Sequence, residues 1–456
     1  MRLRSSRTFW SGDRRGRLLA AALVTAVIAY VGWKIGESPS QALQFGFNGL
    51  SVGAIYALLA MGFTIVYSTV WFFDLYYGAS AAIGAYGVFY LRSKDALSGL
   101  HSVHNAYVNV LFASVVAGVV AWILYETLYR RLSHRYNREV LLAAGGIVSA
   151  AAGCYTLAVL HYTENLNVVL SPAVGCAAAL ATAWLVFKGL ERVVGGAGRR
   201  IVVGVAAVMG LAVGAFAALY VVGEPGTRLY LSWVLSCLLA GVVGLALYRG
   251  LYAHMRERAR SPLVMLVATL GILLAISAAI VLVFGSPARP LPDVFGSQPR
   301  EIWGGTIKDF NLFTVGVAIV AFLGLLFLLK RTSLGRAIRA IGDDEEVSKV
   351  VGINTTVVIS IVFFIGAVYA ALAGVLSGHD TAIQPRMGLL LLLKGWIASV
   401  VGGIGNLYGA AIGGLALGMV EQFGIWDLAG EWRDVISFVL LILFLSFWPR
   451  GLLPRR

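Results

Sequence analysis

A few residues in this sequence have types and spacings that metal chemistry uses. His101 and His104 lie three residues apart in a polar stretch, which could hold a metal ion or be a solvated loop pair. Cys154, Cys176 and Cys237 all lie in apolar stretches, with no CxxC pair and no histidine at metal-ligand spacing. We interpret the cysteines as packing residues and the histidines as a solvated pair. The sequence therefore predicts no metal site and no catalytic residue.

Nucleotide chemistry also lacks its usual motifs. The segment Gly402-Gly403-Ile404-Gly405-Asn406 is rich in glycine, but it follows an apolar helix-like run rather than a strand, unlike a dinucleotide fingerprint. Close helix packing, or a bend along a solute path, explains these glycines better. No Gly-Lys dipeptide occurs in the chain, which excludes a Walker A phosphate loop. We predict no bound cofactor, so ATP would have to be bound by another chain.

Lys394 is the ionisable residue with the most unusual setting, because it interrupts the apolar run 389–401. Charged groups at such depth usually face protein or water and serve a function. Lys394 would stabilise a solute carboxylate or a gate, or its ammonium would snorkel to the outer interface. Glu421 is predicted to pair with Lys394 or Arg433 in a structural role.

The composition of the chain indicates what kind of protein holds these residues. The 456 residues are 59% hydrophobic and only 13% charged, with a mean hydropathy of +0.83, whereas soluble domains carry about 25% charged residues. The net charge of +14 comes from short clusters between apolar stretches, which argues against a nucleic-acid-binding face. A soluble globule is excluded, and the pattern predicts a protein of the inner (cytoplasmic) membrane.

Windows of about 20 apolar residues predict an all-α, polytopic transmembrane helical bundle with about 14 spans. The Arg-rich start precedes a retained first span rather than a signal peptide. Most of the 36 Lys and Arg residues fall in segments that this count assigns to the cytoplasmic side, so both termini are predicted to be cytoplasmic. The predicted spans are 18–35, 43–67, 78–91, 107–128, 140–160, 168–187, 201–222, 229–248, 262–284, 311–330, 357–377, 388–404, 407–425 and 434–448.

The most informative polar stretch is the segment 331–356, which lies between two spans on the predicted cytoplasmic side. Its apolar residues are predicted to form one side of a short, highly charged helix pair. The segment is either an ordinary solvated loop or a docking helix that receives motion from a partner ATPase. The apolar residues are Ala337, Ile338, Ile341, Val347, Val350 and Val351.

Four segments together resemble the permease family of branched-chain amino acid ABC transporters: 47–67, 333–355, 394–419 and 433–452. The resemblance implies a multi-pass permease that is not itself an enzyme. It also implies two ATPase subunits, a second permease subunit of the same or a homologous chain, and an extracytoplasmic solute-binding protein. The spacing from Glu346 to Gly352 matches the docking segment of ABC importer permeases. The residues assigned to ATPase coupling are Gly335, Arg336, Arg339, Asp343, Asp344, Glu346 and Gly352.

A solute path is predicted along one helix and two breaks. The residues are Asn48, Gly53, Tyr56, Asp74, Gly78, Lys394, Gly402, Gly403 and Gly405, of which the first three are spaced i, i+5 and i+8. Around Asp74 the chain departs from the family, which has Asn-Phe-Ala-His-Gly-acid where this chain has Asp-Leu-Tyr-Tyr-Gly-Ala. Since the histidine and the acid are absent, branched-chain amino acids and related small polar solutes both stay open as substrates.

The predicted organisation has four parts. Residues 1–42 form a basic tail and an extra first span, 43–128 the first part of the permease core, 129–248 an insertion of about four spans, and 249–456 the rest of the core. Two similar Tyr-Arg turns, at Tyr129 and Tyr248, flank the insertion. An ion-coupled secondary transporter is the alternative function, but it predicts coupling carboxylates at mid-depth, and the spans contain almost none.

Overall fold

The computed structural model describes residues 32–92, 105–125, 138–161, 166–194, 199–223, 227–258, 262–291, 300–302, 305–447 and 451–453. Nearly all of the described chain is helical, which confirms the predicted all-α bundle. The helices are α1 Pro39–Val70, α2 Tyr76–Arg92, α3 Asn105–Leu124, α4 Arg138–His161, α5 Leu166–Val194, α6 Arg199–Gly223, α7 Thr227–Leu247, α8 Ala253–Arg258, α9 Pro262–Phe284, α10 Asp309–Arg331, α11 Ser333–Asp343, α12 Glu345–Val350, α13 Thr355–Thr381, α14 Met387–Gly402, α15 Leu407–Gly424 and α16 Trp432–Phe447. A five-residue π-helix, Tyr248–Tyr252, joins α7 to α8, and strands β1 Arg300–Ile302 and β2 Gly305–Ile307 pair antiparallel.

Within the described residues, six helices are long and apolar enough to cross a membrane, or seven with the bent pair α14–α15 as one span. The count of about 14 spans is therefore a sequence prediction that goes beyond this set. Parts of the predicted first span, the His101 and His104 pair, and the turn at Tyr129 lie outside the described residues.

The chain divides into two compact units. The first comprises residues 1–85, 237–278 and 288–456, and it contains every residue assigned to ATPase coupling or to the solute path. Its central element is the 32-residue α1, which packs against α10, α13, α14 and α15. The 18-residue apolar window of α1 is 94% buried, whereas that of α10 is 17% buried. In a membrane α1 would thus be enclosed by protein, and α10 would face lipid along much of its length.

Small residues let α1 and α15 approach closely. A Cβ atom added at Gly53 would lie 2.9 Å from the Cα of Leu415, and one added at Gly418 would collide with the backbone of Gly53. Gly414 meets the backbone of Ala57 in the same way. Such packing is typical of membrane helices, which associate by close backbone contact because lipid supplies no hydrophobic driving force between them.

The second unit comprises residues 86–236 and 279–287. Within it α3 packs on α4, and α5 packs on α6. Gly175 and Gly214 meet at the α5–α6 contact, where a Cβ atom on either would press on the other's carbonyl group. The outward surfaces of these helices carry exposed apolar side chains such as Ile147, Leu180 and Leu211, as expected of helices that face lipid.

Candidate functional site

Lys394 lies at the centre of a buried charge cluster formed by Tyr56, Lys394, Glu421, Asp434 and Ser437. The Lys394 Nζ atom is 2.9 Å from Tyr56 Oη, 3.2 Å from Glu421 Oε1 and 3.0 Å from Asp434 Oδ1. Lys394 thus donates to Tyr56 and Glu421 and is ion-paired with the Asp434 carboxylate. In this conformation Lys394 therefore points into protein and does not snorkel.

Glu421 is the deepest acid of the cluster, with a side chain that is 0% exposed. Tyr56 Oη donates to its Oε2 atom at 2.7 Å, and Ser437 Oγ donates to its Oε1 atom. The predicted pairing with Lys394 is thus present in the structure, while the carbonyl of Arg433 accepts from Ser437 Oγ at 3.1 Å. A buried carboxylate is tolerable only when paired and hydrogen-bonded in this way.

The cluster ties four helices together. Tyr56 belongs to α1, Lys394 to α14 and Glu421 to α15, while α16 contributes Asp434 and Ser437. Asp434 and Ser437 were not among the functional residues predicted from the sequence. Their spacing of three residues near the start of an apolar helix places both on one face, and that was the signal available in the sequence.

The structure brings only some of the predicted path residues together. Gly53 and Tyr56 both face α15, whereas Asn48 accepts a hydrogen bond from Asn311 Nδ2 of α10 at 3.2 Å. Gly53 is closely packed here, as described above. The assignment of Asn48, Gly53 and Tyr56 to a solute path stays a prediction.

Asp74 lies in the short connection between α1 and α2 and orients the backbone there. Its Oδ1 atom accepts from the Tyr76 amide at 3.1 Å and from Tyr252 Oη at 3.4 Å. Burial raises the pKa of the Asp74 carboxyl to about 7. Gly78 lies one turn further on and faces the carbonyl of Gly388, so it permits close contact between α2 and α14.

The glycine-rich segment 402–406 forms the break between α14 and α15, whose axes differ by 118°. Gly403 and Gly405 have φ angles of 112° and 88°, which L-residues rarely adopt. Asn406 then caps α15 by accepting from the amides of Tyr408 and Gly409. Gly402 faces the backbone of Gly409 across the bend. Backbone geometry alone accounts for these glycines.

The segment 331–356 forms two short helices, α11 and α12. Thr332 caps α11 by accepting from the Gly335 amide at 3.1 Å, and Asp344 caps α12 by accepting from the Val347 amide at 3.0 Å. Gly335 is required for space, because a Cβ atom there would meet the carbonyl groups of Leu328 and Leu329. Gly352 ends α12 with a φ angle of 90° and open space around it.

The apolar side chains of this segment divide between core and surface. Ile338 and Ile341 are buried, and α11 packs on α1, α10 and α13. Val347, Val350 and Val351 are instead 58%, 87% and 74% exposed. We call these three valines the valine patch. Six of the residues assigned to coupling are exposed as well, namely Arg336, Arg339, Asp343, Asp344, Glu346 and Gly352.

Two contacts that the sequence did not suggest connect the segment to the rest of its unit. Trp71 Nε1, at the end of α1, donates to the carbonyl of Gly342 at 3.2 Å. Arg256 of α8 forms an ion pair with Glu345 of α12. Both partners are far apart in sequence, so no local pattern indicated them. These two contacts join α11 to the end of α1 and α12 to α8.

The part of the chain that the structure describes contains no group of three or more His, Cys, Asp or Glu residues able to hold a metal ion. Cys237 is buried, while Cys154 and Cys176 are exposed and, like Cys237, free of disulfide bonds.

Comparison with known proteins gives a consistent result. A family model described as "Branched-chain amino acid transport system / permease component" matches residues 192–445. The permease protein LivH of the high-affinity branched-chain amino acid transport system of Salmonella typhimurium is 35% identical over 236 residues, covering 49% of this chain and 76% of that protein. Its Escherichia coli counterpart is 35% identical over 225 residues, which are 48% of this chain and 72% of that protein.

The permease protein BraD of Pseudomonas aeruginosa is 34% identical over 227 residues, covering 48% of this chain and 73% of that protein. No solved structure matches this chain. More than half of the chain falls within the family match, and the share of each relative that is covered is large.

Proposed function

This chain belongs to the family of permease components of branched-chain amino acid transport systems, and we propose that it forms the path for a branched-chain amino acid in an ABC importer. The observation that carries the proposal is the family match over residues 192–445, which contain α11, α12 and every cluster residue except Tyr56. Family membership favours this function over an ion-coupled secondary transporter. ATP hydrolysis belongs to partner ATPase subunits, and an extracytoplasmic binding protein delivers the solute.

The proposed assembly contains two ATPase subunits and a second permease subunit, either a copy of this chain or a homologue. The valine patch on α12 is the proposed contact for an ATPase subunit. Its exposure supports this role, because three large apolar side chains beside charged residues are typical of protein-interaction surfaces on water-exposed segments. Burial of Ile338 and Ile341 anchors the other half of the segment in the permease.

The proposed mechanism is alternating access driven through this segment. Closure of the ATPase subunits moves α11 and α12 together, because the single residue Asp344 ends α11 and caps α12. Trp71 transmits the movement to α1, and Arg256 transmits it to α8. Because α1 packs against α10, α13, α14 and α15, its displacement shifts the contacts at the centre of the first unit.

The charge cluster is the proposed gate of this path. In this conformation Lys394 donates to Tyr56 and Glu421 and is ion-paired with Asp434, so its ammonium group binds a solute carboxylate in place of one of these protein contacts. A zwitterionic amino acid offers a carboxylate for Lys394 and an ammonium group for Glu421 or Asp434. Exchange of protein ion pairs for solute ion pairs would open the connection between α14 and α16 without leaving a buried charge unpaired.

The proposed membrane arrangement keeps about 14 spans with both termini cytoplasmic, and an insertion at 129–248. The separate compact unit of residues 86–236 and 279–287 supports a distinct body near the proposed insertion, although its limits differ from the sequence boundaries.

The proposal is tested by co-purification of the ATPase with the permease in mild detergent, using the variant Val350→Asp. Val350 is the most exposed residue of the valine patch, and an aspartate there places a charge in an apolar contact. We expect the variant to lose most of the bound ATPase and to lose uptake of leucine in cells that express the whole transporter.

Ser333→Asp is the matched control, because it adds the same charge to the same segment at the exposed first position of α11. A negative charge is favourable at a helix N-terminus, so this variant should keep both the ATPase and leucine uptake. Equal retention of the ATPase by both variants would show that the valine patch is not the docking site. Uptake without an ATPase partner would overturn the importer assignment itself.

A further inference from the structure

An open cavity of about 180 Å³ lies in the first unit, at the end of α10 that carries Lys330 and Arg331. Its wall is built from α1, α10, α11 and the start of α15, with the α14–α15 break beside it. The residues that line it are Thr64, Ile65, Ser68, Leu326, Leu329, Lys330, Ile338, Arg339, Gly342, Gly405, Leu407 and Tyr408. The cavity thus connects the docking helix α11 with the central helix and the bend.

The charge of this cavity has one sign. Lys330 and Arg339 line it, and its lining includes no aspartate or glutamate. Lys330 Nζ donates to Tyr408 Oη at 2.7 Å and lies 5.0 Å from the centre of that ring, which holds the ammonium group at the cavity while leaving two further donors. Arg339 adds a planar group of five N–H donors, suited to the oxygen atoms of a phosphate. The polar part of the cavity therefore suits an anion.

The remainder of the wall is apolar. Ile65, Leu326, Leu329, Ile338 and Leu407 supply aliphatic side chains, so a small hydrated anion would leave much of the lining without a partner. On α10 the exposed residues Leu323 and Phe327 are four residues apart, and Lys330 follows three residues later. Residues with these spacings share one helix face. This apolar stripe ends at the cavity that Lys330 and Arg339 line. The arrangement suits a ligand that has both an acyl chain and a phosphate.

We propose that this cavity binds an anionic phospholipid, with the phosphate at Lys330 and Arg339 and an acyl chain along α10. Basic pockets between membrane helices at the inner leaflet bind anionic headgroups, and this end of α10 carries the basic residues that the positive-inside rule assigns to that leaflet. The proposal goes beyond the transport function and needs only that the chain is a membrane protein. A bound lipid would join α11 to α10 and thereby brace the helix that receives the ATPase movement.

The test measures lipid binding to the purified full chain by native mass spectrometry, with phosphatidylglycerol as the anionic lipid and phosphatidylcholine as the zwitterionic one. The variant Lys330→Gln/Arg339→Gln removes both cations of the cavity. The control Arg331→Gln/Arg336→Gln removes two cations from the same two helices that do not line the cavity. All four residues are exposed, so both variants should fold.

We expect the cavity variant to bind phosphatidylglycerol about tenfold more weakly or worse, and the control to bind it like the unmodified chain. Equal losses in both variants, or equal binding of phosphatidylcholine and phosphatidylglycerol by the unmodified chain, would overturn the proposal. Displacement of the lipid by millimolar inorganic phosphate would instead identify a site for a soluble anion. Displacement by leucine would assign the cavity to the solute path, and either displacement contradicts a lipid site.

Discussion

At the scale of single residues, Glu421 decides whether the charge cluster is stable. Its carboxylate is fully buried and accepts from Lys394, Tyr56 and Ser437, so no other acid in the cluster has as many protein partners. Asp434 also contacts Lys394, but its side chain is 46% exposed and water screens its charge. Removal of one partner from a buried pair costs about 3–5 kcal/mol because the other charge is left without compensation.

We expect Glu421→Gln to lower the thermal unfolding midpoint in detergent and to reduce leucine uptake by more than about tenfold. Asp434→Asn should have a much smaller effect on the midpoint, since its carboxylate is half exposed. The two variants are compared by fluorescence-monitored unfolding of the purified protein in one detergent.

The double variant Lys394→Met/Glu421→Gln distinguishes a paired charge from two independent contributions. Loss of both charges removes the unpaired group, so the double variant should be less destabilised than the sum of the single variants Lys394→Met and Glu421→Gln. Strict additivity would show that the two residues do not act as a pair. Unchanged uptake in Lys394→Met would exclude Lys394 from the gate.

At the scale of elements, the bent pair α14–α15 determines where the cluster can form. The 118° bend returns α15 beside α14, which brings Glu421 to Lys394 although 27 residues separate them. Gly402 and Gly409 meet backbone to backbone at the base of the bend. Any side chain at this contact would separate the two helices and with them the charged partners.

Gly402→Ala is therefore expected to prevent normal packing of the pair and to lower the yield of folded protein and its unfolding midpoint. Gly316→Ala is the matched control, because Gly316 lies inside α10 with no atom near its added Cβ. Alanine is preferred over glycine in a helix by about 1 kcal/mol, so the control should be neutral or slightly stabilising. Equal midpoints for the two variants would contradict the packing role of Gly402.

At the scale of the whole molecule, the two ends of α10 must lie on opposite sides of the membrane if this 23-residue apolar helix crosses it. The basic end at Arg331 leads into α11 and α12, and the other end follows the β1–β2 hairpin. The positive-inside rule assigns the basic end to the cytoplasm.

Cysteine labelling tests this orientation in a chain whose native cysteines, Cys154, Cys176 and Cys237, have been replaced. Lys308→Cys should react with a membrane-impermeant maleimide in intact cells, whereas Ser333→Cys should react only after permeabilisation. Both positions are exposed, so access to the reagent depends on the side of the membrane. Labelling of Ser333→Cys in intact cells would show that the orientation is opposite to the proposed one. The valine patch would then lie on the other side of the membrane from a cytoplasmic ATPase.

The sequence by itself determined the class of protein and its family. Apolar windows long enough to cross a bilayer must become helices there, since backbone groups in lipid have no other hydrogen-bond partners, and helical structure is what the described chain shows. The motifs at 47–67, 333–355, 394–419 and 433–452 indicated the family, because residue types and spacing within short segments are visible in the sequence itself. The short helix pair predicted in segment 331–356 is present as α11 and α12, since its pattern of apolar and charged residues is local.

Only the tertiary structure decided which distant residues meet. Tyr56 and Glu421 are 365 positions apart, and Trp71 and Gly342 are 271 apart, so no helical period relates the members of either pair. In segment 331–356, Ile338 and Ile341 are buried and the valine patch is exposed. This difference likewise depends on what α11 packs against. Most of the long described helices are apolar on all sides, so hydrophobicity favours their insertion into the membrane but does not determine which helices pack together. Glycine contacts and a few buried polar groups determine that packing.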